Sequence, residues 1–148
     1  MEIRPATRED LDAVRACAEA AYQVYVEAIG RKPAPMVADF AVALAAGRLF
    51  VAADESGLGG FAVFYTREDH VHLENVAVAP DHQGKGVGRA LVSYAESAAR
   101  RDGVERVELY TNEKMTENLS WYPRLGYEEI GRWREDGFNR VFFRKQLV

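Results

Sequence analysis

The chain has 148 residues, 48% of them hydrophobic and 28% charged, which is typical of one soluble globular domain spanning residues 1–148. A net charge of −4 argues against nucleic acid or an anionic membrane as the partner. The single cysteine, Cys17, the absence of a signal-peptide pattern and the lack of an apolar run of about 20 residues predict a cytoplasmic protein.

The first third of the chain predicts one strand and two helices. Residues 3–6 form a short edge strand, and apolar residues recur at helical spacing from Leu11 to Ile29, so a long amphipathic helix is expected there. Pro33 and Pro35 stop that helix, and a second one is predicted over residues 36–46.

The rest of the chain alternates between strand and helix patterns. Strands are predicted over residues 49–53, 60–66, 71–78, 104–110, 127–133 and 141–147, with helices over 89–101 and 116–125. A hairpin turn over residues 136–139 joins the last two strands. The resulting order, βααβββαβαββ, predicts an α/β protein with a mixed sheet and helices on its faces.

A glycine-rich segment separates the strand over residues 71–78 from the helix that follows it. It reads Gln83-Gly84-Lys85-Gly86-Val87-Gly88-Arg89. Glycines let the backbone come close to a ligand, and the free N–H groups of a helix N-terminus attract an anion, so a phosphorylated cofactor is expected here. The segment is not a P-loop, because Gly86 stands where Ser or Thr must follow the lysine. The spacing of its glycines also differs from the dinucleotide-binding fingerprint.

The pattern Gln83-x-x-Gly86-x-Gly88 after a Val-x-Val strand resembles the acyl-CoA signature of the GCN5-related N-acetyltransferase (GNAT) family. Residues 118–127, with Asn118, Tyr122 and a Gly-Tyr pair, are similar to the family's late segment. The resemblance implies the GNAT-like acyl-CoA N-acyltransferase fold with splayed parallel central strands. It also implies acetyl-CoA as cosubstrate and direct transfer of the acetyl group to a primary amine in a ternary complex.

The resemblance further implies which residues bind the cofactor. Main-chain groups of Val76 and Val78 contact the pantetheine arm, with the Val76 N–H facing the thioester oxygen, and the amides of residues 83–89 hold the pyrophosphate. Asn118 contacts the arm, and it could serve as a helix N-cap as well as, or in place of, that contact. The full implied set is Val76, Ala77, Val78, Gln83, Gly84, Lys85, Gly86, Val87, Gly88, Arg89, Asn118 and Tyr122.

Two residues are candidates for acid–base chemistry. The resemblance makes Tyr122 the general acid, since a phenol with a pKa near 10 is protonated at neutral pH, and the alternative is that its ring serves core packing beside Trp121. Pro123 biases Tyr122 away from helical dihedral angles and could displace its hydroxyl. Glu74 is the candidate base, with a solvated carboxylate or a base acting through water, from His72 or Glu74, as alternatives.

Two other hypotheses about function compete with acetyl transfer. His70, His72 and Glu74 share one face of a regular strand, and this donor set suits zinc, so a metal-dependent hydrolase or lyase is one alternative. A non-catalytic acyl-CoA-binding module is the other.

The acceptor site is expected between residues 22 and 40, because the first two helices choose the acceptor in the GNAT family. The candidate substrate-binding residues are Tyr22, Tyr25, Arg31 and Lys32. The alternative is that both tyrosines face the core and both basic residues are solvated. If functional, the basic pair favours an amine acceptor, small molecule or peptide, that also carries a carboxylate or phosphate. Family resemblance also suggests a homodimer.

Overall fold

The computed structural model describes residues 1–147 and has the predicted α/β architecture. Within these residues the strands are β1 Glu2–Pro5, β2 Leu49–Asp54, β3 Gly57–Thr66, β4 Val71–Val78, β5 Arg106–Asn112, β6 Glu128–Glu135 and β7 Phe138–Gln146. The α-helices are α1 Leu11–Tyr22, α2 Val26–Ile29, α3 Phe40–Ala45, α4 Val87–Arg101 and α5 Thr116–Arg124. Neither α4 nor any other helix in the described part of the chain is long and apolar enough to cross a membrane.

The segment between β1 and β2 is more broken than its sequence pattern predicts. The expected continuous helix over residues 11–29 ends at Tyr22, passes through a 3₁₀ turn at Gln23–Tyr25 and resumes as α2. Gly30, at φ 89°, stops it. The second predicted helix, over residues 36–46, is confined to α3, because the Asp39 carboxylate caps its first turn by accepting the Val42 N–H at 3.1 Å. With α1, the turn and α2 counted as one helical segment, the predicted element order is confirmed.

The described chain packs as two compact units, of which the first contains Met1–Phe64 and Glu74–Tyr94. Its strands lie in the order β1-β2-β3-β4, and β2 pairs antiparallel with β1 on one side and with β3 on the other. Fully buried side chains from α1, β2 and β3 form its core, including Val14, Val51 and Phe61.

The second unit contains Tyr65–Leu73 and the chain from Ala95 onward, with strands in the order β4-β5-β7-β6. Strands β5, β7 and β6 pair antiparallel, and β6 turns into β7 through Asp136 and Gly137, both at positive φ, as the hairpin prediction requires. The predicted single domain over residues 1–148 stays a prediction, and Val148 lies outside the described residues.

In the second unit β4 and β5 pair in parallel, with Val71 aligned with Val107, His72 with Glu108 and Leu73 with Leu109. Strand β4 itself continues for five more residues, to Val78.

Candidate active site

The glycine loop between β4 and α4 has the backbone of an anion-binding turn. Gly84 and Gly86 have φ of 77° and 82°, which side-chain-bearing residues rarely adopt. A Cβ at either position would meet nothing within 4 Å, so conformation and not crowding requires glycine, and the space above the loop is open.

The loop ends where α4 begins, two residues earlier than the sequence predicted. The Ala90 N–H donates to the Gly86 carbonyl oxygen at 3.0 Å, which makes Gly86 the first acceptor of the helix. The N–H groups of the helix's first residues therefore have no acceptor within the helix. Lys85 and Arg89 are exposed beside them, and neither forms an ion pair with another residue of the described chain. Unfilled donors, a helix dipole and two cations together suit a phosphate group.

The main chain of β4 directs alternate residues to opposite edges. The Ala79 N–H donates to Gly59 on β3 at 2.8 Å, and a Cβ on Gly60 would lie 2.7 Å from the Ala77 carbonyl oxygen. Ala77 therefore faces β3. Because successive strand residues alternate, the N–H and C=O groups of Val76 and Val78 face away from β3.

Among the three β4 residues expected to meet the cofactor arm, Ala77 has a carbonyl group that turns toward β3, and its side chain is buried. Its contact with the arm stays a prediction, whereas the outward main-chain groups of Val76 and Val78 are better placed for that contact.

Side chains on β4 alternate between buried and accessible positions. His72, Glu74, Val76 and Val78 occupy the accessible face, and of these Glu74 is the exposed one. The Glu74 carboxylate forms no ion pair or hydrogen bond with another residue between 1 and 147. A free carboxylate on a rigid strand can accept a proton.

The three residues of the alternative metal site, His70, His72 and Glu74, do not assemble as a ligand set. His70 precedes β4, and its Nδ1 lies 2.6 Å from the Asp69 carboxylate. His72 packs between the rings of Tyr65 and Tyr110, and burial lowers its pKa to about 4. Residues 1–147 contain no group of three or more histidine, cysteine, aspartate or glutamate side chains placed to hold a metal ion.

Helix α5 carries the two predicted site residues of the second unit. Asn118 lies in its first turn, after the N-cap residue Met115, so the capping alternative is wrong. Its Nδ2 donates to Thr111 Oγ1 at 3.1 Å. Its Oδ1 accepts no hydrogen bond from another residue of the described chain and stays available.

Tyr122 stays helical despite the proline after it. The helix continues through Pro123 to Arg124 and ends in a tight turn, in which the N–H groups of Leu125 and Tyr127 donate to the Tyr122 carbonyl oxygen at 3.0 and 3.1 Å. Pro123 thus sits in the last turn of α5, where one missing N–H disturbs little. The expected shift of Tyr122 away from helical geometry is wrong.

The Tyr122 side chain is buried, but its hydroxyl has no partner among the described residues. Burial raises the pKa of this phenol above its ordinary value, which keeps it protonated. Nearby Tyr127 differs, since its hydroxyl donates to Glu96 at 2.8 Å.

The four candidate acceptor residues have different environments. Tyr22 is 7% exposed, and its hydroxyl contacts Asn75 and the Val76 carbonyl oxygen, while Tyr25 is half-buried. Arg31 and Lys32 are exposed. A cavity of about 220 Å³ is lined by Arg15, Glu19, Lys32, Met36, Val37, Ala38 and Phe40.

Sequence reasoning missed Asn75, which is 4% exposed and bonded to both Tyr22 and Pro35. An asparagine in the middle of an otherwise apolar strand face was the available signal, because a buried amide requires partners.

A mixed sheet, a positive-φ glycine loop and a helix N-terminus define an α/β protein built to bind a phosphorylated ligand. The acetyltransferase (GNAT) domain family matches residues 45–129, which is more than half of the chain. The chain belongs to the GNAT family, as its motifs predicted.

Curated relatives match the chain over part of their length. Streptothricin acetyltransferase of Streptomyces lavendulae is 36% identical over 87 residues, covering 57% of this chain and 46% of the relative. The [ribosomal protein bS18]-alanine N-acetyltransferase of Escherichia coli K12 is 31% identical over 72 residues, covering 49% of each. The chain thus spans about half the length of the curated relatives it matches.

Solved structures share the fold over nearly the whole chain. PaiA N-acetyltransferase from Thermoplasma acidophilum, in complex with coenzyme A, has a TM-score of 0.79 at 16% identity and covers 98% of both chains. YncA, a putative acetyltransferase from Salmonella typhimurium with acetyl-CoA, has a TM-score of 0.73 at 23% identity, covering 100% of this chain and 94% of that one. These likenesses confirm the predicted GNAT fold.

Proposed function

We propose that this protein transfers an acetyl group from acetyl-CoA to a primary amine. The observation that carries the proposal is the open glycine loop, with Gly84 and Gly86 at positive φ, at the N-terminus of α4. Family membership supports it, as do the structural neighbours that contain coenzyme A or acetyl-CoA.

The residues present fit acetyl-CoA, which supplies an activated acetyl thioester. The amides of residues 83–89 and the cations Lys85 and Arg89 bind its diphosphate. The outward main-chain groups of Val76 and Val78 bind the pantetheine arm. The full proposed set is Val76, Val78, Gln83, Gly84, Lys85, Gly86, Val87, Gly88, Arg89, Asn118 and Tyr122.

Proton transfer is assigned to two side chains. Glu74, free and exposed on β4, accepts a proton from the incoming ammonium, directly or through water. Tyr122, protonated because burial raises its pKa, donates the proton that the departing thiolate requires. The free Asn118 Oδ1 can accept an amide N–H of the pantetheine arm.

The acceptor is a small-molecule or peptide amine. The relatives act on chemically different acceptors, since one is named for streptothricin and another for the alanine of a ribosomal protein. Tyr25, Arg31 and Lys32 are proposed to contact it, and the Lys32-lined cavity, which also holds Arg15, favours an acceptor with a carboxylate or phosphate.

The cellular setting completes the proposal. A buried, unpaired Cys17 suits a reducing compartment, so we place the protein in the cytoplasm, with no nucleic acid or membrane partner because the net charge is −4. We also propose that it forms a homodimer.

The test is release of free thiol from acetyl-CoA with a panel of amines, with and without a chelator. We expect amine-dependent release that chelation leaves unchanged and that Tyr122→Phe lowers about 100-fold, as loss of a general acid does. Binding of acetyl-CoA without release under any amine would support the binding-module alternative, and loss of activity on chelation would support metal chemistry.

A further inference from the structure

Three segments of the first unit meet at one buried polar cluster, which we call the Tyr22–Asn75 node. Tyr22 Oη lies 2.7 Å from Asn75 Oδ1 and 2.8 Å from the Val76 carbonyl oxygen. Asn75 Nδ2 donates to the Pro35 carbonyl oxygen at 3.0 Å. The node therefore ties the end of α1 and the turn before α3 to the middle of β4.

The chemistry of the partners fixes the direction of each hydrogen bond. The Pro35 carbonyl oxygen can only accept, so the Asn75 NH₂ must face it and Oδ1 must face Tyr22. The Tyr22 hydroxyl has one proton and lies within hydrogen-bond distance of two acceptor oxygens, so the two acceptors share that proton. Both side chains are more than nine-tenths buried, where water cannot replace these bonds.

The node encloses the peptide group that carries the Val76 N–H. Along the chain, this peptide group lies between the Asn75 side chain and the Val76 carbonyl group. The Tyr22 hydroxyl is hydrogen-bonded to the oxygen atoms of both, so the two hydrogen bonds close a ring that includes the peptide group. Such a closed ring restricts the backbone dihedral angles at residues 75 and 76. The Val76 N–H leaves β4 at the edge opposite β3, so the node sets its direction.

We propose that Tyr22 is a positioning residue whose hydroxyl aims the Val76 N–H at the acyl oxygen of the thioester. This inference rests on the proposed function, in which a fixed N–H stabilises the negative charge that develops on that oxygen. Tyr22 then acts through the main chain of β4, which replaces the acceptor contact predicted for it. Through Pro35, the same node holds the proposed acceptor segment at a fixed place on β4.

The first test needs no activity and compares Tyr22→Phe with the control Tyr94→Phe. Tyr94 is also partly buried and touches Phe50 and Phe64, but its hydroxyl has no hydrogen bond within the described chain. In free protein, Tyr22→Phe should move the Val76 amide signal, because the hydroxyl that fixes this peptide group is lost. Tyr94→Phe should leave that signal unchanged.

Asn75→Ala gives a second variant of the node, and it should move the same amide signal. Thermal unfolding confirms that each variant is folded. A Val76 amide signal that is the same in wild type and Tyr22→Phe overturns the inference, whatever the protein's activity.

The second test measures the strength of the thioester carbonyl bond in bound acetyl-CoA. With acetyl-CoA labelled at the acyl carbon, Tyr22→Phe should raise the infrared frequency of the bound carbonyl, because a hydrogen bond to it weakens. The value of kcat should fall about tenfold or more, with the Kd for coenzyme A within about twofold, since free coenzyme A has no acyl oxygen.

The two tests separate the inference from the function it rests on. A wild-type protein that neither binds nor turns over acetyl-CoA defeats the proposed function, and the catalytic role of Tyr22 with it. An active wild type with the same kcat and carbonyl frequency in Tyr22→Phe overturns the inference alone.

Discussion

Two segments of the chain are built in different ways. Residues 71–89, with β4, the glycine loop and the start of α4, follow local backbone rules, namely strand alternation and positive-φ glycines before a helix. Residues 23–40 contain a 3₁₀ turn, α2, a second 3₁₀ turn and the capped start of α3, and the turn at Pro35 is tied to β4 by Asn75.

The family match includes one of these two segments and not the other. It covers residues 45–129 and so includes the first segment and excludes the second. The contrast indicates that the proposed cofactor half of the site is a family property encoded locally. The proposed acceptor half depends on tertiary contacts of this chain, which is where acceptor choice can differ.

The largest expected effect concerns Glu74 in the first segment. Glu74→Gln should lower kcat about 100-fold and flatten the rise of rate with pH, because the amide cannot accept the ammonium proton. The Kd for coenzyme A should stay within about twofold. Glu68→Gln, an exposed carboxylate between β3 and β4, is the control. A wild-type pH profile in Glu74→Gln would exclude Glu74 as the base.

His72, at the start of the same segment, should affect stability and not rate. Its pKa falls from 6.5 to about 4 on folding, so the unfolded chain binds a proton that the folded chain does not. Stability is complete above pH 6.5 and is lost, by about 3 kcal/mol, as pH falls from 6.5 toward 4.

Denaturant unfolding at several pH values checks this, with His72→Phe removing that part of the pH dependence. If His72→Phe instead abolishes acetyl transfer while the pH dependence of stability persists, His72 belongs to the chemistry.

Gly86→Ala should raise the KM for acetyl-CoA about tenfold, equivalent to about 1.4 kcal/mol, because alanine disfavours positive φ and the loop must leave its anion-binding form. Gly103→Ala is a matched control, since Gly103 has φ 77° and equally open space, far along the chain from the loop. Both substitutions should destabilise the fold by about 1 kcal/mol, but only the first should change the KM. Equal KM values for acetyl-CoA in the two variants would contradict the assignment of this loop as the diphosphate-binding site.

The smallest effect concerns the second segment. Lys32→Ala should raise the KM of anionic acceptors about threefold and leave that of acetyl-CoA unchanged, because an exposed cation contributes less than about 1 kcal/mol. Lys114→Ala, another exposed lysine, is the control. Steady-state kinetics with paired neutral and anionic amines measures the KM of each acceptor. An equal rise of KM for both amines would contradict recognition of the acceptor's negative charge by Lys32.

The same contrast explains how far sequence could predict structure. Strand β4 has its predicted bounds, because its side chains alternate strictly between buried and accessible. The start of α4 was misplaced by two residues, since the sequence does not show that Gly86 becomes the first acceptor.

The breaks after Tyr22 and before α3 could not be predicted from helical spacing, which continues across them. They follow from contacts such as that of Tyr22 with Asn75, which is 53 residues away along the chain. Of the candidate site, the loop and Glu74 were visible as residue patterns, whereas the node depends on three segments that only the fold brings together.

The most direct test of the central claim is an amide NMR titration that compares coenzyme A with pantetheine, which lacks the diphosphate. We predict that coenzyme A shifts the backbone N–H signals of residues 84–89 and that pantetheine does not shift them. Equal shifts with both ligands, or none with coenzyme A, would contradict the claim that these amides bind a diphosphate.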